Sequence, residues 1–318
     1  MSEIRPPILT RPAPAATGLA ACQVRFSAGS AEGATAYEPA LHVATPVLAG
    51  PAGEVLLEYG AVSSSDGCTV FRAGDAMAGF AAAAPLAPLE DATRELYDRV
   101  FRATAGLRLG RIWNYVPRIN AIDDGLENYR RFCRGRSVAF EKQFGADFRR
   151  ALPAGSAVGL ETGPVAVAFF ATEKAPQHFE NPRQVPAFEY PLDYGPRPPN
   201  FARATLVTTG EQRKVFISGT AAIRGHRSIS PHELSGQLPC MLENLTLIAE
   251  TAGAGTEVGA AHAWHRAFKV YLRHARDLPA VQACLERELV RKDDSVTYLL
   301  ADLCRADLNV EIEAVLTK

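Results

Sequence analysis

One order of secondary structure occurs twice along the chain, and this repeat limits the possible folds more than any other feature. In the first half, strands and helices are expected at residues 54–61, 69–72, 88–105, 111–119, 125–144 and, for two further strands, within 156–171. The second half repeats the order at residues 204–209, 214–220, 231–252, 265–273, 279–290, 295–303 and 310–316. The sequence therefore predicts an α+β fold made of a duplicated ββ-α-β-α-ββ unit, in which a mixed sheet is backed by helices.

Changes in composition divide the chain into four segments. Residues 1–19 are rich in proline and alanine and lack the apolar centre of a signal peptide, so we expect a flexible arm. Residues 20–175 are expected to form the first domain and residues 200–318 the second. The segment 176–199 between them holds seven prolines and is expected to be a linker.

The charge balance and cysteine usage exclude several classes of protein. The chain has 34 basic and 35 acidic side chains and a net charge of −1, so neither nucleic acid nor a membrane is an expected partner. No apolar stretch is long enough to span a bilayer. The six cysteines and the histidines lack the spacing of metal ligands. We expect a cytoplasmic protein with free thiols, no metal and no cofactor.

Two strand ends could carry chemistry. In the final strand, VEIEAV, Glu311 and Glu313 alternate with apolar residues and therefore lie on one face. That face is either solvated or holds a buried carboxylic acid that can donate a proton. The strand FISGT ends in Gly219 and Thr220; a glycine there either lets a ligand approach the backbone or is an ordinary strand end.

Several arginines could bind an anionic substrate. Tyr271 and Arg273 share a strand face in VYLR, and Arg203 follows the proline-rich segment. Tyr129 and Arg136 are seven residues apart and therefore share a helix face. Planar guanidinium groups from separate segments suit a substrate with two carboxylates, whereas the alternative for each arginine is a surface role or an ion pair.

The chain resembles a known family over nearly its whole length. FISGT, VYLRHARDLP and VEIEAV in residues 200–318 resemble the YjgF-like (Rid, enamine deaminase) superfamily, whose fold is a small sheet backed by two helices, similar to that of trimeric chorismate mutase. GRIWNYVPRIN, LENYRRFCRGRSVAFE, NFARAT, FISGTAAIRGH and LCRADLNVEIEAV resemble the chorismatases. These enzymes remove the enolpyruvyl group of chorismate without a metal or cofactor.

The resemblance implies a role for each candidate residue. Glu311 matches the acid that protonates the enol ether. Gly219 and Cys304 stand where the hydrolytic subgroup has alanine, so the chain resembles the subgroup that forms 3-hydroxybenzoate. The remaining candidates would bind substrate. Arg203 and Arg273 would hold its carboxylates, and Tyr129 and Arg136 would reach it from the first half. Tyr271 and Thr220 are the other two substrate-binding candidates.

The expected function is conversion of chorismate to 3-hydroxybenzoate and pyruvate. A bifunctional chorismatase that forms both 3- and 4-hydroxybenzoate is an alternative, since the sequence does not place water or the ring hydroxyl. A Rid-type enamine/imine deaminase and a non-catalytic module that binds a small carboxylate are further alternatives. Because YjgF-like domains often form trimers and a duplicated chain could form the interface internally, the expected assembly is a monomer or a homotrimer.

Overall fold

The strands and helices follow the expected order, with several additions. The computed structural model describes residues 18–28, 40–84, 87–254 and 264–318. The strands before the first helix are β1 (Leu19–Phe26), β2 (Ala40–Val43), β3 (Val47–Ala49), β4 (Gly53–Ser65), β5 (Cys68–Ala73) and β6 (Ala76–Ala82). The first half continues with α1 (Leu89–Ala103), β7 (Arg108–Pro117), β8 (Ile122–Asp123), β9 (Leu126–Glu127), α2 (Asn128–Phe144), β10 (Ala154–Leu160) and β11 (Ala166–Thr172).

The second half begins within the proline-rich segment. Its elements are β12 (Gln177–Phe179), β13 (Ala204–Thr209), β14 (Gln212–Thr220), β15 (Ile223–Arg224), β16 (Arg227–Ser228), α3 (Leu234–Thr251), β17 (His265–Leu272), α4 (Leu278–Glu288), β18 (Ser295–Leu300) and β19 (Val310–Thr317). Proline at the start of α4 suits a helix that begins there, because its missing N–H has no partner in the first turn.

The order of strands confirms the duplication. The first sheet has the order β10-β7-β11-β6-β5-β4-β1-β2, and the second has the order β12-β13-β14-β19-β17-β18-β3. The five strands from β10 to β5 thus correspond to β18-β17-β19-β14-β13. The pairs β10–β7 and β18–β17 are parallel, and the other pairs of this set are antiparallel in both sheets. Each half is a mixed sheet with two helices, as expected.

The structure corrects the alignment of the two halves by one strand. The sequence pattern paired residues 54–61 and 69–72 with 204–209 and 214–220, but the counterparts of β13 and β14 are β5 and β6. β4 occupies the position beside β5 that β12 occupies beside β13. The sequence of β6, AMAGFAA, is rich in alanine, which is uncommon in strands. The residue pattern therefore does not indicate this buried strand.

The molecule has four layers, with the sheets inside and the helices outside. Phe101 of α1 and Phe132 of α2 pack on the outer face of the first sheet, and Met241 of α3 and Val281 of α4 pack on the second. The inner faces of the two sheets share one core. Phe216 of β14 contacts two rings of the first sheet, with centroids 5.3 Å from Phe170 and 5.9 Å from Trp113.

Two strands cross the boundaries of the expected segments. Most of the arm at 1–19 lies outside the described residues, and its last residue begins β1. β3, within the expected first domain, pairs with β18 of the second sheet, and β12, within the expected linker, pairs with β13. The second sheet is therefore completed at both edges by strands from outside residues 200–318.

A core substitution tests whether the two sheets depend on each other. Phe170→Ala removes a fully buried ring between the sheets and should lower the free energy of unfolding by about 3–5 kcal/mol. Tyr59→Ala is the control, because this ring is 71% exposed and its loss should change stability by less than about 0.5 kcal/mol. The measurement is urea unfolding followed by tryptophan fluorescence; equal stability of the two variants would contradict the shared core.

Candidate active site

A cavity of about 410 Å³ lies where the two halves and the segment between them meet. Its wall includes Tyr129 and Arg136 from α2, Ser156 from β10, Gly219 from β14, and Glu311 from β19. The loop after β18 adds Cys304 and Arg305, and the proline-rich segment adds Tyr190 and Tyr194. The cavity thus gathers side chains that are up to about 180 positions apart in the chain.

Glu311 is the buried acid of this cavity. It lies near the start of β19, opposite Tyr271 of β17, and is 3% exposed. Burial, followed by the negative charge of Glu313, raises the pKa of Glu311 to about 8. The carboxyl is therefore protonated at neutral pH and can act as an acid. Glu313 is also buried, so the alternative of a solvated strand face is wrong.

Gly219 makes room for the Glu311 carboxyl. The pairing of β14 with β19 shifts register between Ile217 and Thr220, and Gly219 lies in this irregular stretch. A Cβ atom at Gly219 would lie 2.1 Å from Oε1 of Glu311 and 3.3 Å from Cβ of Ser156. A larger residue here would require the Glu311 carboxyl to move, whereas the sequence predicted either the approach of a ligand to the backbone or an ordinary strand end.

Cys304 contacts the acid directly. Its Sγ atom lies 3.9 Å from Oε2 of Glu311. Burial and then the charge of Glu311 raise the pKa of Cys304 above that of a free thiol. Cys304 is therefore a neutral thiol at neutral pH and not a thiolate nucleophile.

Two buried arginines face the same cavity. The Arg136 guanidinium lies over the Phe132 ring at 4.9 Å, and its Nε and Nη2 atoms have no hydrogen-bond partner among the described residues. Arg203 donates from Nη2 to the Tyr190 hydroxyl at 2.7 Å, while its Nε atom has no hydrogen-bond partner within the same residues and lies 4.0 Å from Oε2 of Glu180. Buried N–H groups without partners are costly, so both arginines are suited to bind an anion.

Three expected substrate-binding residues are not brought to the cavity wall. Arg273 donates to the carbonyls of Leu308 and Arg305 and pairs with Asp302, so it holds the loop before β19 from outside. Tyr271 lies in the core between the sheets. The Thr220 hydroxyl donates to the Ser218 carbonyl at 2.8 Å. Strand alternation predicts which residues share a face but not what lies opposite that face.

Several polar residues of the cavity were not predicted from the sequence, among them Tyr190, Tyr194, Arg305 and Ser156. Tyr190 and Tyr194 belong to the supposed linker, and the Arg305 guanidinium lies 5.4 and 4.3 Å from their ring centroids. The aromatic residues among the prolines were the available signal. Ser156 accepts a hydrogen bond from Arg111 Nη2 at 2.9 Å. No pattern in the sequence of β10 distinguishes this serine.

Two further observations concern metals and membranes. Among the residues that the structure describes, no group of three or more histidine, cysteine, aspartate or glutamate side chains could hold a metal ion. None of the helices in this part of the chain is long and apolar enough to cross a membrane.

Comparisons with known proteins identify a family. The family described as chorismatase FkbO/Hyg5-like, N-terminal, matches residues 58–171. A 3-hydroxybenzoate synthase of Streptomyces hygroscopicus is 39% identical over 243 residues, which cover 73% of this chain and 71% of that protein. A chorismatase of Streptomyces rapamycinicus is 35% identical over 263 residues, or 79% of this chain and 78% of the relative.

A solved structure extends the similarity to the whole fold. A chorismatase crystal structure superposes with a TM-score of 0.81 at 30% identity and covers 96% of this chain and 95% of its own. The strand order, the cavity between the halves and these sequence relatives lead to one assignment. The chain belongs to the chorismatase family.

Proposed function

We propose that the protein converts chorismate to 3-hydroxybenzoate and pyruvate. The observation that carries this proposal is Glu311, a buried acid that is protonated at neutral pH and lies between Gly219 and Cys304. Arg136 and Arg203 line the same cavity, and each has at least one N–H group without a hydrogen-bond partner among the described residues. The similarity to a 3-hydroxybenzoate synthase over 73% of the chain supports the choice of product.

The reaction needs one proton at a defined carbon. Chorismate carries an enol ether and two carboxylates. Glu311 gives its proton to the methylene carbon of the enol ether, which forms an oxocarbenium ion and weakens the ether bond to the ring. The ring hydroxyl then displaces the side chain and loses its proton, giving an arene oxide that opens to the aromatic product. Pyruvate leaves, and atoms balance without added water.

In the proposed mechanism the proton comes from Glu311 itself. An acid in a buried cavity supplies the proton directly, and positioned acid catalysis is typically worth about 10²–10⁴-fold in rate. The guanidinium groups of Arg136 and Arg203 would hold the carboxylates and orient the enol ether toward Glu311. Cys304 occupies the space beside the carboxyl as a neutral thiol, where a smaller side chain would admit water.

The same features support proposals for the assembly and the compartment. Both halves of one chain line the cavity, which supports a monomer as the working form. The six cysteines are free, which supports a reducing compartment such as the cytoplasm.

Product analysis tests the proposed function. The purified protein is incubated with chorismate in the presence of a chelator, and the mixture is separated by HPLC with mass detection. We expect 3-hydroxybenzoate and pyruvate in equal amounts. A mixture with 4-hydroxybenzoate would indicate the bifunctional type, and a dihydroxy-cyclohexadiene carboxylate would indicate hydrolysis. Unchanged chorismate would refute the proposal and favour a deaminase or a binding module.

The same assay with Glu311→Gln separates catalysis from binding. Turnover should fall about 10²–10⁴-fold because glutamine has no acidic proton. Binding of chorismate, measured by calorimetry, should persist. Glu173→Gln is the control, since this exposed carboxyl pairs with Arg72 away from the cavity.

Gly219→Ala tests the close approach at the acid. The added methyl group must displace the Glu311 carboxyl, so formation of 3-hydroxybenzoate should fall about 10–100-fold. Gly18→Ala is the control, because a Cβ atom there has nothing within 4 Å. Initial rates and the product profile are measured by HPLC. Wild-type rates for Gly219→Ala would mean that the carboxyl position does not matter.

Arg136→Met tests the binding of a substrate carboxylate. Loss of a charged hydrogen bond of about 1.5–3 kcal/mol should raise KM for chorismate roughly 10–100-fold. The control is Arg134→Met on the same helix, because Arg134 pairs with Glu90 away from the cavity. Steady-state pyruvate release gives both constants; an equal effect of the two substitutions would assign Arg136 a structural role only.

A further inference from the structure

A second buried carboxylate lies next to the acid of the cavity. Glu313 follows Glu311 by two positions on β19, on the same face, and is 1% exposed. A strand rises about 3.3 Å per residue, so the two side chains are roughly 7 Å apart at their origins. The mechanism above gives Glu313 no role, although burying a carboxylate is costly unless it is paired.

Three donors hold Glu313. Lys269 Nζ lies 2.7 Å from its Oε1 atom, and Trp113 Nε1 donates to the same oxygen at 2.8 Å. Arg111 Nη2 lies 2.6 Å from its Oε2 atom. Trp113 and Arg111 belong to the first sheet, whereas Lys269 is the strand neighbour of Glu313 in the second. Glu313 therefore has a donor set suited to a carboxylate and not to a carboxylic acid.

The charge of Glu313 is fixed over the working pH range. Burial alone would raise its pKa, but the Lys269 ammonium and then the Arg111 guanidinium lower the pKa to about 2. Lys269 also pairs with Glu54, a carboxylate of β4 on its other side. Lys269 is thereby shared between two carboxyl groups. Burial raises the pKa of Glu54, whereas the two cations lower the pKa of Glu313, so the negative charge resides on Glu313.

Glu311 faces groups of both signs. The charged or titratable groups around its carboxyl, across the strand pair and in the same cavity are Glu313, Arg111, Arg203, Cys304, Tyr271, Arg136 and Arg305. Burial and Glu313 favour the protonated acid, whereas Arg111 and Arg203 favour the carboxylate. Without the charge of Glu313, burial would be opposed by Arg111 and by Arg203 of the cavity wall, which both favour loss of the catalytic proton.

We propose that Glu313 is a positioning residue that keeps Glu311 protonated, and that Lys269, Arg111 and Trp113 serve this purpose by holding Glu313 as a carboxylate. This inference rests on the proposed function for the use of the proton, but the protonation of Glu311 can be measured without substrate. Of the two carboxyl groups on this strand face, Glu311 donates the proton. The negative charge of Glu313 opposes the loss of that proton before it reaches the substrate.

The test is a direct titration of Glu311. Protein labelled with ¹³C at the glutamate side-chain carboxyl is titrated by NMR, and the Glu311 signal is assigned by its absence in Glu311→Gln. In Glu313→Gln the pKa of Glu311 should fall by about one unit or more, because the nearby negative charge is gone. An unchanged pKa would overturn the proposal.

The pH dependence of turnover should shift together with the pKa of Glu311. The acid works only when protonated, so activity of the wild type should fall as the pH rises through about 8. In Glu313→Gln this alkaline limb should move to lower pH by the same amount, with activity recovered on the acid side. Glu313→Asp, which keeps the charge, should restore much of the wild-type profile. A uniform loss of activity with an unshifted limb would mean a structural role only.

Two further variants keep the test decisive. Glu54→Gln is the matched control, since it removes a carboxylate from the far side of Lys269 and should leave the pKa of Glu311 within about 0.3 units. If Glu313→Gln does not fold, Arg111→Met combined with Glu313→Gln removes the ion pair as a whole, a change that buried pairs often tolerate. The downward shift should then be smaller, because Arg111 acts in the opposite direction on Glu311. No downward shift in the double variant would overturn the proposal.

The outcomes separate this inference from the proposed function. A wild type that leaves chorismate unchanged, with a Glu311 pKa that depends on Glu313, refutes the function and supports the control of protonation. A wild type that forms 3-hydroxybenzoate, with a pKa that does not depend on Glu313, supports the function and refutes the inference.

Discussion

The ion pair between Arg111 and Glu313 joins the inner faces of the two sheets, and the site depends on it. Both partners are almost wholly buried, and removing Glu313 would leave the Arg111 guanidinium in the core without its carboxylate. The pair fixes β7 of the first sheet against β19 of the second. Glu311, Ser156 and Gly219 lie next to this contact, so the geometry of the acid follows from the way the sheets meet.

The two halves share a strand order but differ in the functional side chains that they carry. β11 and β19 occupy equivalent positions in their sheets. The sequence of β11 is AVAFFAT and is buried throughout, whereas β19 carries two buried glutamates. The first half instead supplies Arg111, Trp113 and Arg136. The second half therefore provides the acid together with Lys269 and Arg203, and the first half adds further cations and an aromatic ring.

Local patterns in the sequence predicted the elements and part of the site. Apolar spacing located α1 to α4 to within a few residues, and strand alternation placed Glu311 and Glu313 on one face. The strand β6 was missed because alanine gives a weak strand signal. The resemblance and a shared strand face placed Arg273 and Tyr271 among the substrate-binding candidates. Strand alternation does not reveal that Arg273 contacts a loop and that Tyr271 packs against the opposite sheet. Tyr190 and Arg305 reach the cavity through long-range packing, which no local pattern encodes.

The segment between the halves has a consequence for how the protein could be divided. A duplicated protein is expected to separate at its repeat boundary into two pieces that fold alone. Here the boundary region supplies Tyr190 and Tyr194 to the cavity and β12 to the edge of the second sheet, while β3 crosses from the first half to the opposite edge. A break between the repeats would strip the second half of both protective edge strands and leave unpaired backbone groups open to aggregation. The chain is a duplication of one structural unit, but the second unit depends on β3 and on the boundary strand β12 to complete its sheet.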